Sequence, residues 1–138
     1  MITIKTIYEG NLRTKAIHQR SLNELITDAP VDNRGKGEAF SPTDLLATSL
    51  GSCMLTIMGI AANNHGFNMD GTEVEITKIM GSNPRRVSEV IVELYFPQIS
   101  YEKKVKKIIQ NAAFTCPVSR SLHPNLKQTI IFHFYDQS

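Results

Sequence analysis

The chain has 138 residues, 41% of them hydrophobic, and is long enough to bury a core without disulfide or metal cross-links. We therefore expect a single domain over residues 1–138. The formal net charge of +2 is too small to attract a nucleic acid strongly, so we expect no nucleic-acid partner.

The first third of the chain alternates apolar and polar residues at period two, which predicts short β-strands. The expected strands cover residues 2–8, 14–17 and 22–27. A stretch rich in turn residues, 28–37, predicts a loop after them. The start of the chain lacks the segments of a secretory leader, so we expect a cytoplasmic protein.

A capping pattern marks the start of a long helix. Ser41 can cap it, Pro42 suits its first position, and Asp44 can reach back to the cap amide. The pattern predicts a helix from Pro42 to about Asn64. Residues 45–62 carry no charge and approach the length of a membrane span, but polar residues and glycine interrupt them. We expect a core helix and no membrane partner.

The rest of the chain mixes strands and helices. We expect an antiparallel pair over 69–80 and 87–96, an amphipathic helix over 100–114, a helical turn over 116–122 and a strand over 129–135. This order predicts the α+β class. Because the 45–62 helix is apolar on nearly every face, a domain of this size cannot cover it alone. We therefore expect a homodimer that buries this helix.

Two cysteines are the only strongly nucleophilic side chains of the chain, Cys53 in the long helix and Cys116 before the helical turn. They are too far apart for a Cys-x-x-Cys motif, so only the fold can bring them together. A thiolate attacks peroxide to give a sulfenic acid, and a second thiol can condense with that acid into a disulfide. The pair therefore permits a two-cysteine peroxidase cycle.

Each cysteine also has a structural interpretation. Cys53 lies on an apolar stripe of its helix and can be a small buried hydrophobe. Cys116 precedes Pro117 and can occupy a helix N-cap, where backbone amides lower a thiol pKa. On this argument Cys116 is the easier thiol to ionise. The histidines show no metal-ligand spacing, so we expect no metal and no cofactor.

Three motifs carry a resemblance to a known family. Phe-Ser-Pro-Thr-Asp-Leu-Leu at 40–46 is followed by Leu-Gly-Ser-Cys-Met at 50–54 and Cys-Pro-Val at 116–118. With them, nearly the full chain resembles the OsmC/Ohr family of osmotically inducible and organic hydroperoxide resistance proteins, in its Ser-Pro-Thr-Asp-Leu branch. The resemblance implies an OsmC-like intertwined homodimer, with antiparallel sheets wrapped around long central helices and active sites at the subunit interface.

The resemblance also implies residue roles. Cys53 corresponds to the peroxidatic cysteine and Cys116 to the resolving one, and an external dithiol reductant, such as a lipoyl protein, restores both thiols. The family arginine corresponds to Arg13. The family glutamate that positions it, ten residues before the first cysteine, corresponds to Thr43. Asp44 is the neighbouring carboxylate that could take over this work, besides its capping role.

The function implied is a thiol-dependent peroxidase that reduces organic hydroperoxides in oxidative-stress defence. Apolar surroundings of Cys53 would favour an organic hydroperoxide over hydrogen peroxide. Two alternatives stay open at this point. The same fold can serve as a redox-sensing or small-apolar-ligand-binding dimer without efficient turnover, or the cysteines can be packing residues of a structural dimer.

Overall fold

The computed structural model describes residues 1–136. Within them the mixed order of strands and helices confirms the α+β class. The strands are β1 Ile4–Gly10, β2 Arg13–His18, β3 Glu24–Asp28, β4 Glu73–Gly81, β5 Arg86–Tyr95 and β6 Lys127–His133, and the helices are α1 Pro42–His65, α2 Lys103–Ala113 and α3 Pro117–Ser121. The chain forms two compact units, residues 1–46 and residues 47 onward.

The first unit contains an antiparallel meander in the order β1-β2-β3. Gly10, Asn11 and Leu12 have positive φ angles and make the tight turn from β1 to β2. Register then places Arg13 at the start of β2 opposite Asp28 at the end of β3. Strand β1 lies at the edge of this sheet.

The start of α1 is built as the sequence predicts. The amide of Ser41 donates to Asp44 Oδ2 at 2.9 Å, and the amide of Asp44 donates to Ser41 Oγ at 3.0 Å. This reciprocal pair is a capping box, which satisfies amides that the first helical turn leaves unpaired. The helix ends at His65, where Gly66 adopts a positive φ angle and its amide bonds back to Ala62.

Helix α1 buries one stripe of small and apolar side chains. Its buried residues are Ala47, Leu50, Gly51, Met54, Met58 and Ala62. By length and composition alone the helix could also cross a membrane, a test that core helices pass as well. At Gly51 the helix lies close to β4, because a Cβ there would stand 2.5 Å from Ile76 Cδ1. The absent side chain is what permits this approach.

The second unit contains a sheet in the order β4-β5-β6. The predicted antiparallel pairing of β4 with β5 is confirmed. Strand β4 starts at Glu73 and not at residue 69, because Thr72 bonds back to Met69 and Gly71 adopts a positive φ angle, which together make a turn. Alternate β5 residues face the core, where Val90, Val92 and Leu94 are fully buried.

One pairing corrects the expectation of wholly antiparallel sheets. Strand β6 runs parallel to β5, with Glu89 opposite Lys127 and Tyr95 opposite His133. Parallel neighbours need a long crossover, and α2 and α3 supply it between the two strands. Helix α2 is amphipathic as predicted and buries Ile109 and Ala113.

The capping box gives a stability prediction. Ser41→Ala removes the side-chain acceptor for the Asp44 amide, and we expect it to lower the free energy of unfolding by about 1 kcal/mol. Urea denaturation followed by circular dichroism at fixed protein concentration measures the change. Asn63→Ala, at an exposed position of the same helix, is the control and should leave stability unchanged or slightly higher. Equal stability of Ser41→Ala and the wild type would contradict the prediction.

Candidate active site

Cys116 occupies the N-cap of α3. Its Sγ accepts a hydrogen bond from the Ser119 amide at 3.5 Å, and Pro117 takes the first helical position. Gln128 of β6 fixes this short helix, since its Nε2 donates to the Ser119 carbonyl at 3.0 Å and its Oε1 accepts from Ser119 Oγ. The cap predicted from the Cys-Pro pair is therefore present, and Cys116 is held by the parallel strand beside it.

The fold brings the two cysteines together. Cys53 on α1 lies near enough to Cys116 to affect the pKa of its thiol. Both thiols are free in the structure. Their exposure differs, because Cys116 is completely buried whereas Cys53 is half-buried. In the single chain, Cys53 is thus the more accessible of the two thiols.

Burial decides the protonation of Cys116. It raises the pKa of the Cys116 thiol, and the neighbouring Cys53 side chain raises this pKa further. The amides of Ser119 and Val118 act in the opposite direction but do not outweigh burial. The N-cap argument was therefore right about geometry and wrong that Cys116 is easily ionised. At neutral pH this thiol stays protonated.

Arg13 forms a bidentate ion pair with Asp28. Its Nε lies 2.7 Å from Oδ1 and its Nη2 lies 2.9 Å from Oδ2. The carboxylate is almost completely buried, whereas the arginine side chain is 36% exposed. The hydrogen bonds from Arg13 lower the pKa of Asp28, and the same pair raises the pKa of Arg13. Both groups are therefore charged at neutral pH.

Asp28 is the residue that the sequence analysis missed. Its Asp-Ala-Pro context predicted a loop, and Asp44 was the only carboxylate considered as a possible partner of Arg13. The sequence signal for this pair was the alternation of apolar and polar residues in β2 and β3. Antiparallel pairing of these two strands allows residue 28 to lie opposite residue 13.

Asp44 forms the capping box predicted from the sequence. Its Oδ2 accepts from the Ser41 amide, and among residues 1–136 the carboxylate bonded to Arg13 is that of Asp28. Thr43, at the position of the family glutamate, shares a hydrogen bond with Ser41 at 3.1 Å between hydroxyl oxygens. The hydrogen bonds of Thr43 and Asp44 with Ser41 therefore stabilise the start of α1.

No metal-binding cluster is found in the described part of the chain, since residues 1–136 hold no group of three or more His, Cys, Asp or Glu side chains arranged around one point. The chemistry that the site offers is that of two adjacent thiols.

Comparison with known proteins shows the family of this chain. Residues 35–130 match the family model described as OsmC-like protein, which is more than half of the chain. The chain belongs to the OsmC family. A crystal structure from Psychrobacter arcticus 273-4, of a protein described as an osmotic stress induced and detoxification response protein, is 58% identical, with a TM-score of 0.92 and 96% of each chain covered. No curated protein matches the sequence.

More distant OsmC-family structures share the fold. An organic hydroperoxide resistance protein from Legionella pneumophila is 16% identical with a TM-score of 0.73, covering 96% of this chain and 97% of its own. Another from Elizabethkingia anophelis is 16% identical with a TM-score of 0.74, covering 97% of both chains. At these identities the likeness establishes the OsmC-like fold.

The burial of Cys116 gives a prediction about its titration. In a Cys53→Ser variant, Cys116 is the only thiol, and we expect its thiolate absorbance at 240 nm to appear above about pH 8.5, the ordinary midpoint of a free cysteine. The same variant unfolded in urea is the control and should titrate near the ordinary value. A midpoint below that of the unfolded control would mean that the α3 amides outweigh burial.

Proposed function

We propose that the protein is a thiol-dependent peroxidase that reduces organic hydroperoxides to alcohols and contributes to oxidative-stress defence. The observation that carries the proposal is that Cys53 lies near enough to Cys116 to affect the pKa of its thiol, because a two-cysteine cycle requires the two thiols to come together. The neighbours named as organic hydroperoxide resistance proteins agree with this chemistry.

The proposed cycle balances in three steps. The Cys53 thiolate attacks the terminal peroxide oxygen, the O–O bond breaks, and the alkoxide takes a proton and leaves as the alcohol, while Cys53 becomes a sulfenic acid. The Cys116 sulfur then attacks Cys53, an S–S bond forms, and the hydroxyl group leaves with the thiol proton as water. An external dithiol reduces the disulfide by exchange and is itself oxidised.

The different environments of the two thiols support the assignment of roles. A half-buried Cys53 can be reached by a hydroperoxide, whereas a fully buried Cys116 with a raised pKa is a poor competitor for it. Cys116 is thus kept as the protonated partner until a sulfenic acid forms beside it. Arg13 keeps the role implied by the family resemblance, which is to stabilise the thiolate or the bound peroxide by donating hydrogen bonds.

A homodimer is part of the proposal. Ile4 and Tyr8 on β1 are more than half exposed, and so is Ile60 on α1. Exposed apolar side chains of this size on an edge strand and on a central helix are typical of an interface. A second copy of the chain would cover both surfaces. The proposed partners are therefore a second copy, an organic hydroperoxide and a dithiol reductant, in a reducing compartment such as the cytoplasm.

The cycle predicts a definite loss of thiols. After one equivalent of cumene hydroperoxide, we expect the wild type to lose both free thiols and a mass of about 2 Da, as formation of one disulfide requires. Cys116→Ser should instead hold a sulfenic or over-oxidised Cys53, and Cys53→Ser should keep its thiol. Thiol titration and intact mass measure these products. Wild-type thiols that remain reduced for many minutes would exclude the peroxidase function.

The substrate class gives a further prediction. If an apolar surface beside Cys53 binds the organic group, kcat/KM for cumene hydroperoxide should exceed that for hydrogen peroxide by about tenfold or more, the scale of selectivity that apolar pockets provide. A dithiol-recycling assay with both peroxides measures the ratio. Equal kcat/KM values would show that the organic group is not recognised.

A further inference from the structure

We propose that a cavity at the N-terminal ends of β5 and β6 binds a small organic carboxylate. The cavity has a volume of about 560 Å³, and all of its lining residues belong to the second unit. Pockets of this size accommodate small molecules. Neither cysteine lines it, so the inference does not rest on the peroxidase function.

The parallel pairing of β5 with β6 places the two walls of the cavity side by side. Because these strands run in the same direction, the segments that lead into them arrive at the same edge of the sheet. One wall is the turn at 82–85 before β5, and the other is the loop at 122–126 before β6. The loop is closed by a hydrogen bond from the Leu126 amide to the His123 carbonyl at 2.9 Å. The cavity is therefore formed by the fold itself.

Arg86 presents a fixed guanidinium to the cavity. Its Nη1 donates to the carbonyls of Ser82 at 2.9 Å and Pro84 at 3.0 Å. The group also lies against Gly81, where a Cβ would stand 3.2 Å from Nη1. Within residues 1–136, both hydrogen bonds of this side chain come from Nη1. The edge formed by Nε and Nη2 keeps its donors, and this is an edge that binds a carboxylate through two parallel hydrogen bonds.

His123 supplies a second donor from the opposite wall. Its Nδ1 accepts from the Asn125 amide at 3.0 Å. A neutral imidazole whose Nδ1 accepts carries its proton on Nε2, so the ring can donate from that atom. The side-chain amides of Asn83 and Asn125 also line the cavity and can donate. Donors from both walls thus surround one space.

The charge of the cavity favours an anion. Among residues 1–136, its lining includes no Asp or Glu, and Arg86 carries its one permanent positive charge. The nearest acidic residue along β5 is Glu89, which accepts from Thr129 Oγ1 at 2.6 Å and lies 4.0 Å from Lys127 Nζ. Its negative charge is thus already compensated by β6.

The apolar part of the lining selects the class of anion. Pro84, Val87 and Leu126 complete the cavity, and Val87 is only 8% exposed. Inorganic phosphate would leave this apolar surface unused and would bring more negative charge than one arginine neutralises. A carboxylate with a short hydrocarbon chain uses both parts, because its head pairs with Arg86 and its chain covers the apolar surface.

Nuclear magnetic resonance titration of the full chain with hexanoate tests the site. We expect saturable shifts of the backbone amides at 83–87 and 123–126, with a Kd of about 1 mM or tighter, the range open to a ligand of this size. Acetate has the same head without the chain and should bind at least about tenfold more weakly, since it buries less apolar surface. Inorganic phosphate should bind more weakly than hexanoate.

Variants on each wall identify the residues that bind. Arg86→Gln should weaken hexanoate binding by about tenfold or more, and Arg86→Lys should also weaken it, because lysine keeps the charge and loses the planar fork. Arg85→Gln is the matched control, since it makes the same change of charge at the next residue, which does not line the cavity. His123→Ala should weaken binding about threefold to tenfold, the effect of one hydrogen bond. It keeps the test available if the Arg86 variants disturb the turn, as circular dichroism would show.

Four results would overturn the inference. They are the absence of saturation up to about 50 mM hexanoate, which lies far above the expected Kd, an equal loss of binding in Arg85→Gln and Arg86→Gln, tighter binding of phosphate than of hexanoate, and shifts centred on Cys53 or Cys116. Saturable local shifts that are lost in Arg86→Gln and retained in Arg85→Gln support it. Because the readout is binding, a failure of the peroxidase proposal would leave this result unchanged.

Discussion

The close approach of α1 to the sheet β4-β5-β6 is the constraint on which the thiol site depends. Gly51 permits it, since any side chain there would meet Ile76. One stripe of α1 is buried by this contact. Because Cys53 lies two residues after Gly51 on the helix, it stands beside the buried stripe and not within it. A helix held further from the sheet could rotate freely. The glycine therefore helps to determine the half-buried position of Cys53.

Two opposing effects act on the pKa of Cys116, because the amides of the helix terminus lower it and burial raises it. Their relative sizes decide the direction of the shift. A helix terminus stabilises a nearby charge by about 0.3–1 kcal/mol, and by about 2 kcal/mol in favourable geometry. Removing a charge from water costs several kcal/mol. Because Cys116 is fully buried, desolvation prevails and the thiol pKa is raised. The N-cap is then mainly a structural device that orients the sulfur, with Gln128 holding the helix in place.

The features that the sequence predicted well are local ones. The capping box at Ser41, the extent of α1 and the Cys116 cap each depend on residues within one or two helical turns, so a short pattern is sufficient to specify them. The features that it missed depend on pairing across long separations. The parallel course of β6 and the register that sets Arg13 opposite Asp28 are fixed only when distant segments meet. Burial of Cys116, which reverses the expected pKa shift, is likewise a property of the assembled fold.

The Arg13–Asp28 pair orients an arginine without a carboxylate at position 43, where this chain has a threonine. What an arginine requires is a fixed carboxylate in its plane, and a β-strand neighbour can supply this as well as a helix can. In this chain the strand carboxylate is buried and bonded to the segment before α1. Asp44 caps the helix that carries Cys53, because its Oδ2 accepts a hydrogen bond from the Ser41 amide. The two carboxylates thus have different structural roles: Asp28 holds the Arg13 side chain, and Asp44 caps the helix that carries Cys53.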